Sequence, residues 1–150
     1  LSNLAYGGAT IAAFQAFSER LLTTRITNGK IIIYAGDNDL GSGLSVSEVI
    51  RDYKNFLITV TELLPNFEVL VISIKPCPFR RHLRKEIEEV NFWLEKYINN
   101  NENWSFIDIH PSMLDAYGEN KNAFYSDDPL HMNDVGYALL GKKVRMSLNS

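Results

Sequence analysis

A single cysteine, Cys77, in 150 residues excludes an internal disulfide and any zinc site built from several cysteines. Nine glycines and five prolines are too few for a collagen-like or low-complexity chain. No apolar run approaches the ~20 residues of a membrane span. The longest such runs, at 31–35 and 69–74, are strand-sized. Cations are not in excess either. Fifteen Lys+Arg against 18 Asp+Glu leave a net charge of −3, so nothing drives sequence-independent binding to nucleic acid or an anionic membrane. The first residue is Leu1, not Met, and a segment upstream of Leu1 is expected.

What remains is ordinary for one globular domain over residues 1–150. Hydrophobic residues make up 45% of the chain, with 8 Phe, 7 Tyr and 2 Trp, enough to bury a core. Short, continuously apolar, β-branched runs at 30–35, 67–74 and 104–109 read as strands buried on both faces. Residues 1–4 suit the tail of another strand. Helical spacing separates these runs. Ile11, Phe14, Phe17, Leu21 and Leu22 share one period, and Asn28-Gly29 breaks it. Ser45-Val46-Ser47-Glu48 forms a capping box ahead of a long amphipathic stripe, from Val49 to Leu64, closed by Pro65-Asn66. A third helix is predicted over 81–98, with Phe92 or Trp93 inward. A fourth follows an N-cap at Asn133 and carries Val135, Ala138, Leu139 and Val144. The order (β)αβαβαβα predicts an α/β fold, a three-layer α/β/α sandwich around a parallel sheet, flavodoxin-like in outline. In such sheets ligands bind beyond the carboxyl ends of the strands. That rule selects four loops: 6–10, 36–43, 75–80 and 126–133.

Three motifs fall there: Asn3-Leu4-Ala5-Tyr6-Gly7-Gly8-Ala9-Thr10, Gly36-Asp37-Asn38-Asp39 and Asp128-Pro129-Leu130-His131. Each alone is commonplace, since an Asp-x-x-His pair is more often two surface residues. Their order and their places at strand ends carry the information. Acyl transfer needs a nucleophile, a base, a group to orient the base, and donors for the oxyanion. His131 has the pKa range of a base, and Asp128 three residues earlier can hold its other ring nitrogen. The Gly8 amide and the Asn38 side-chain amide can donate to developing negative charge.

Together the motifs resemble the SGNH (GDSL-type) hydrolases, a family of esterases and acyl hydrolases, over nearly the whole chain. Gly8 matches the family's second block, Gly36 to Asp39 its third, and Asp128 with His131 its fifth. Tyr34 to Asp39 and Ile72 to Pro76 are similar to a bacterial esterase/acyl-hydrolase subgroup. The resemblance implies His131 as base, Asp128 as its orienter, and Gly8 and Asn38 as oxyanion donors. Asp37, Tyr6 and Leu130 are expected to border the substrate, which is a small ester, a lipid or an acylated sugar. No metal or organic cofactor is implied. The family's Gly-Asp-Ser block, which carries the nucleophile, has no counterpart in these residues. Ser42, Ser45 and Ser47 belong to a turn and a helix cap, so the nucleophile is expected upstream of Leu1. Because the family's first strand lies inside the sheet, an open groove is expected beside the strand ending at Ala35. The reading from another class is a catalytically silent domain that binds an ester, a glycan or a protein partner.

Other readings are weaker. Asp37, Asp39, Ser45 and Glu48 fall where a calcium loop places ligands, but Gly41 and Ser42 break that pattern and a strand precedes it. Asp37 and Asp39 are expected to form the turn, Asp39 also bracing the loop that holds Asn38. Cys77 reads as a loop thiol between prolines. His82 and His110 read as surface or cap residues. The basic cluster Arg80, Arg81, Arg84 and Lys85 reads as a solvated helix start, neutralised by Glu86, Glu88 and Glu89. Phe79, Phe124 and Tyr125 suit either an acyl pocket or plain packing.

Overall fold

β2 supplies the centre of the molecule, and its alternation shows why. In the computed structural model, which describes residues 4–5, 7–22 and 27–149, Val69, Leu70, Val71 and Ile72 are all at most 3% exposed. Val69 and Val71 enter one core and Leu70 and Ile72 the other. A strand buried on both faces needs a partner on each side and helices above and below. Parallel partners are present: β1 (Gly29–Ile33) and β3 (Trp104–Ile107) flank β2 (Phe67–Ile72) in the order β1-β2-β3. Ile31 lies opposite Val69, and Val71 opposite Phe106. Each aliphatic side chain so buried stabilises the fold by ~1.5–3 kcal/mol.

The helices form the outer layers. α1 (Ile11–Leu21), α3 (Val46–Leu63) and α4 (Arg84–Asn99) cover the first face, and α5 (Asp134–Leu148) covers the second. The fold is therefore the three-layer α/β/α sandwich that the sequence pattern implies. Its helix starts follow the predicted chemistry. The Ser45 N–H donates to Glu48 Oε2 at 2.8 Å, and Glu48 returns its N–H to Ser45 Oγ. Asn133 Oδ1 accepts from the amides of Val135 and Gly136. Among the described residues no helix is long and apolar enough to cross a membrane.

Three details depart from expectation. Phe17 is 46% exposed, and Ser18 is buried instead, because residues 11, 14, 18 and 22 share one helical face and 17 lies off it. Of the two inward candidates, Trp93 packs on the core and Phe92 is exposed; Val135 at the start of α5 is exposed against expectation. A short helix, α2 (Asp37–Gly41), occupies the loop read as a turn. The proposed strand tail falls on residues 1–4. The first three lie outside the described residues, and Leu4 is in no strand. β1 is an edge strand, with β2 its one partner among the described residues, and its Ile32 is 37% exposed.

The strands also stop about two residues short of the predicted 35, 74 and 109. Side chains take over the ladder's hydrogen bonds there. The Tyr53 hydroxyl donates to the Ala35 carbonyl at 2.8 Å. Asn91 brackets Ile74, accepting its N–H at 2.7 Å and donating to its carbonyl at 2.8 Å. Ser73 Oγ accepts from the amides of Ile109 and His110. Backbone groups of Ala35, Ile74, Ile109 and His110 beyond the strand ends thus keep hydrogen-bond partners.

Candidate functional site

Three of the four predicted loops leave the strands or enter α1 beyond these strand ends. After Ala35, Gly36 turns the chain at φ +95°, a left-handed conformation that favours glycine. A Cβ there would also stand 2.7 Å from Ile74 Cδ1. α2 begins at once. Its three polar residues point in three directions, as successive helical positions must.

Asp37 is buried, and both carboxylate oxygens are taken. Lys75 Nζ lies 2.7 Å from Oδ2, and the Arg80 guanidinium bonds Oδ1. Asn38 is half-buried. Its Nδ2 donates to the Ala9 carbonyl at 3.0 Å, and its Oδ1 accepts from Arg80 at 3.3 Å. Asp39 is fully buried. Its Oδ1 accepts the amide of Ile11, the first residue of α1, at 3.0 Å, and Oδ2 has no hydrogen-bond partner among the described residues. Burial pushes the Asp39 carboxyl pKa up, partly countered by that amide. The bonds from Asn38 and Asp39 pin the 7–10 loop against α2. Gly8, exposed and at φ +74°, is therefore beside Asn38 in the fold although 30 positions away in the chain.

The second half of the site is the loop before α5. His131 Nδ1 lies 2.5 Å from Asp128 Oδ2. Asp128 Oδ1 accepts the His131 amide at 2.9 Å and the Ser126 hydroxyl at 2.8 Å. The ring contact first, then that amide and Ser126, hold the Asp128 carboxyl down to about 2. Ser126 and His131 also exchange backbone bonding, since the Ser126 N–H donates to the His131 carbonyl at 2.9 Å. Both side chains are more than half exposed, and His131 Nε2 has no bond among the described residues.

The 75–80 segment joins the two halves. Lys75 and Arg80 reach back to α2. The Phe79 amide donates to the Pro129 carbonyl at 3.2 Å, and the Tyr125 hydroxyl donates to the Pro76 carbonyl at 2.5 Å. Cys77 is buried, with its thiol 3.7 Å from the Pro129 carbonyl, so it is a packing group and not an accessible nucleophile. Leu130 is half-buried on the same loop. Tyr6 lies outside the described residues. Two concavities open nearby. One of about 10 Å³ touches Cys77, Arg80 and His110, and one of about 180 Å³ runs between α4 and β3. Neither is lined by Gly8, Asn38 or His131. Among the described residues no group of three His, Cys, Asp or Glu is placed to hold a metal ion.

Several readings change. Asp37 does not offer its carboxylate to a substrate, because Lys75 and Arg80 occupy it in the interior. Arg80 is not part of a solvated helix start, since its side chain is largely buried on α2. His110 is 7% exposed, and its Nε2 is buried without a hydrogen-bond partner among the described residues; burial lowers its pKa. The roles of Lys75, Arg80, Asn91 and Ser73 escaped sequence reading. The one signal was a cation, Lys75, at the end of an apolar strand, where a buried carboxylate is the usual partner.

Solved structures share this fold. The chain superposes on a carbohydrate esterase family 3 protein from Talaromyces cellulolyticus at a TM-score of 0.78 and 17% identity, covering 95% of this chain and 68% of that one. A GDSL-like lipase from Bacteroides thetaiotaomicron gives 0.78 at 19%, covering 95% and 72%. The OSK domain of Drosophila Oskar gives 0.80 at 16%, covering 95% and 72%. At such identities the likeness is one of fold. Among curated proteins no sequence matches. The model of the GDSL-like lipase/acylhydrolase family matches residues 1–139, a span that includes the 7–10 loop, α2 and the Asp128–His131 pair. By that match the chain belongs to the GDSL-like lipase/acylhydrolase family of hydrolases.

Proposed function

We propose that the protein is a serine esterase that cleaves a small ester, acetyl or short acyl, on a small molecule, lipid or sugar. His131 is the general base, Asp128 orients it, and the Gly8 amide and the Asn38 side-chain amide receive the oxyanion. The observation that carries this reading is the 2.5 Å contact of Asp128 with His131 Nδ1, which leaves Nε2 free to take a proton. Asp128 holds both the ring and the backbone amide of His131, so tautomer and orientation are set before substrate arrives. The second N–H of Asn38 Nδ2 is free to donate, since the first is spent on Ala9.

The nucleophile is a serine on a Gly-Asp-Ser segment outside these 150 residues. Among the described residues no serine hydroxyl bonds the His131 ring, and Ser126 Oγ is turned to Asp128 and to the His131 carbonyl. The serine Oγ–H proton passes to His131 Nε2 as Oγ attacks the ester carbon. The proton then goes to the departing alkoxide as the C–O bond breaks. Water repeats the exchange to release the acid.

Hydrolysis of p-nitrophenyl acetate by the full gene product tests this. His131→Ala is expected to remove at least ~10³ of kcat and Asp128→Asn about 10⁴. Activity unchanged in His131→Ala overturns the assignment. The other reading is a silent ester- or glycan-binding domain. Wild-type protein that neither turns over ester nor takes a fluorophosphonate label decides for that reading.

A further inference from the structure

The oxyanion loop is held by a buried cation that the reaction itself does not require. We infer that Arg80 is a positioning residue that orients and polarises the Asn38 amide, with the Asp37–Lys75 pair fixing the guanidinium in place. This rests on the esterase reading above.

Asn38 alone does not decide which end of its amide faces the substrate. The two ends differ only in donor and acceptor character, so the neighbours set the orientation. Here Oδ1 faces the guanidinium and Nδ2 faces the Ala9 carbonyl. A flipped amide would set N–H against a cation and oxygen against oxygen. The flip is therefore closed, and the remaining N–H keeps one direction. A cation on Oδ1 also draws electron density from the amide and makes that N–H a stronger donor to a forming oxyanion. Donors fixed before charge develops are the ones that lower a barrier.

The cluster is built for this. Arg80 bonds Asp37 with one nitrogen and Asn38 with another, using the fork that distinguishes arginine from lysine. Lys75 neutralises the other oxygen of Asp37. Three ionised groups in the interior cost desolvation, and an apolar cluster would stabilise the fold as well or better. Gly41 makes room. A Cβ there would stand 2.5 Å from three atoms of the Arg80 guanidinium group, which would have to shift from its place between Asp37 and Asn38. Arg80 lies 42 positions from Asn38, so the contact is one of tertiary structure and not of the motif.

The test compares Arg80→Met, Arg80→Lys and Gly41→Ala in the full gene product. Lys75 keeps Asp37 paired in all three, so no variant strands a buried carboxylate. Arg80→Met is expected to lower kcat ~10- to 100-fold with KM within about twofold, the mark of a contact that counts in the transition state. Arg80→Lys should restore part of the loss, and Gly41→Ala should fall between. The Asn38 side-chain amide protons in a ¹⁵N NMR spectrum give a readout that needs no turnover. They should shift and exchange faster in Arg80→Met and Gly41→Ala. An enzyme that keeps its kcat in Arg80→Met while His131→Ala destroys it overturns the inference and leaves the esterase standing. If the wild type has no esterase activity, the esterase reading fails by itself. Asn38 amide signals unmoved in Arg80→Met then overturn the clamp as well, and shifted signals support it as the device that holds the loop.

Discussion

Replacing Asn91 by alanine should be among the most damaging single changes outside the site. Its amide is 8% exposed and bonds both polar groups of Ile74, whose own side chain is fully buried. Alanine leaves an N–H and a carbonyl in the interior with no water to replace the lost partner. Each such group costs ~1–3 kcal/mol, so the pair sums to about 2–6 kcal/mol. With a urea slope near ~2 kcal/mol per M, the unfolding midpoint should fall by about 1–3 M. Asn101→Ala is the control. Asn101 makes one partly buried bond to the Tyr97 carbonyl, so its loss should stay near ~1 kcal/mol. Ile74 precedes Lys75, so Asn91→Ala should also loosen the Asp37 pairing and lower kcat in the protein that remains folded. Urea titrations followed by far-UV circular dichroism measure the first effect. A midpoint shift no larger than that of Asn101→Ala would refute the claim that side chains replace the ladder at the end of β2.

Two further outcomes follow from the same geometry. Asp128 is held at about 2, below the ~3.9 of a free aspartate. A depressed folded value means that its stabilisation is complete above about pH 4 and fades as pH falls toward 2. A ¹³C NMR titration of the Asp128 carboxyl should show that midpoint in the folded protein and a rise in His131→Ala; a midpoint indifferent to His131 refutes the pairing. Gly136→Ala should destabilise by ~1–3 kcal/mol although alanine normally favours a helix by ~1 kcal/mol. Its Cβ would stand 2.4 Å from the Phe124 carbonyl oxygen and 2.9 Å from Met132 Cβ, so the loop carrying His131 must shift. A Tm equal to or above wild type would show that the loop adapts freely.

Much of the fold was legible because its signals are local. β-branched runs, a capping box at Ser45 and an Asn133 cap each act within a few residues. The same holds for Asp128 and His131, three positions apart and bonded to each other. Reading failed where a residue's fate depends on something distant. Phe17 and Val135 look apolar enough to be inside, but the neighbouring layers decide which face is covered. His110 resembles a surface histidine beside a proline until Ser73 draws its backbone in.

The four residues 36–39 mark the boundary best. Residue types and order were enough to show a glycine turn, an amide donor and acidic neighbours at the end of a strand. Which carboxylate meets which cation was not contained in that string. Asp37 turns inward to Lys75 and Arg80, Asn38 spans Arg80 and Ala9, and Asp39 holds the start of α1. These partners lie 28 to 43 positions away. Local propensity sets what a segment is, through interactions a few residues long. Pairing between these loops is set by the strands coming together, because only then are those charges taken out of water and forced to find one another.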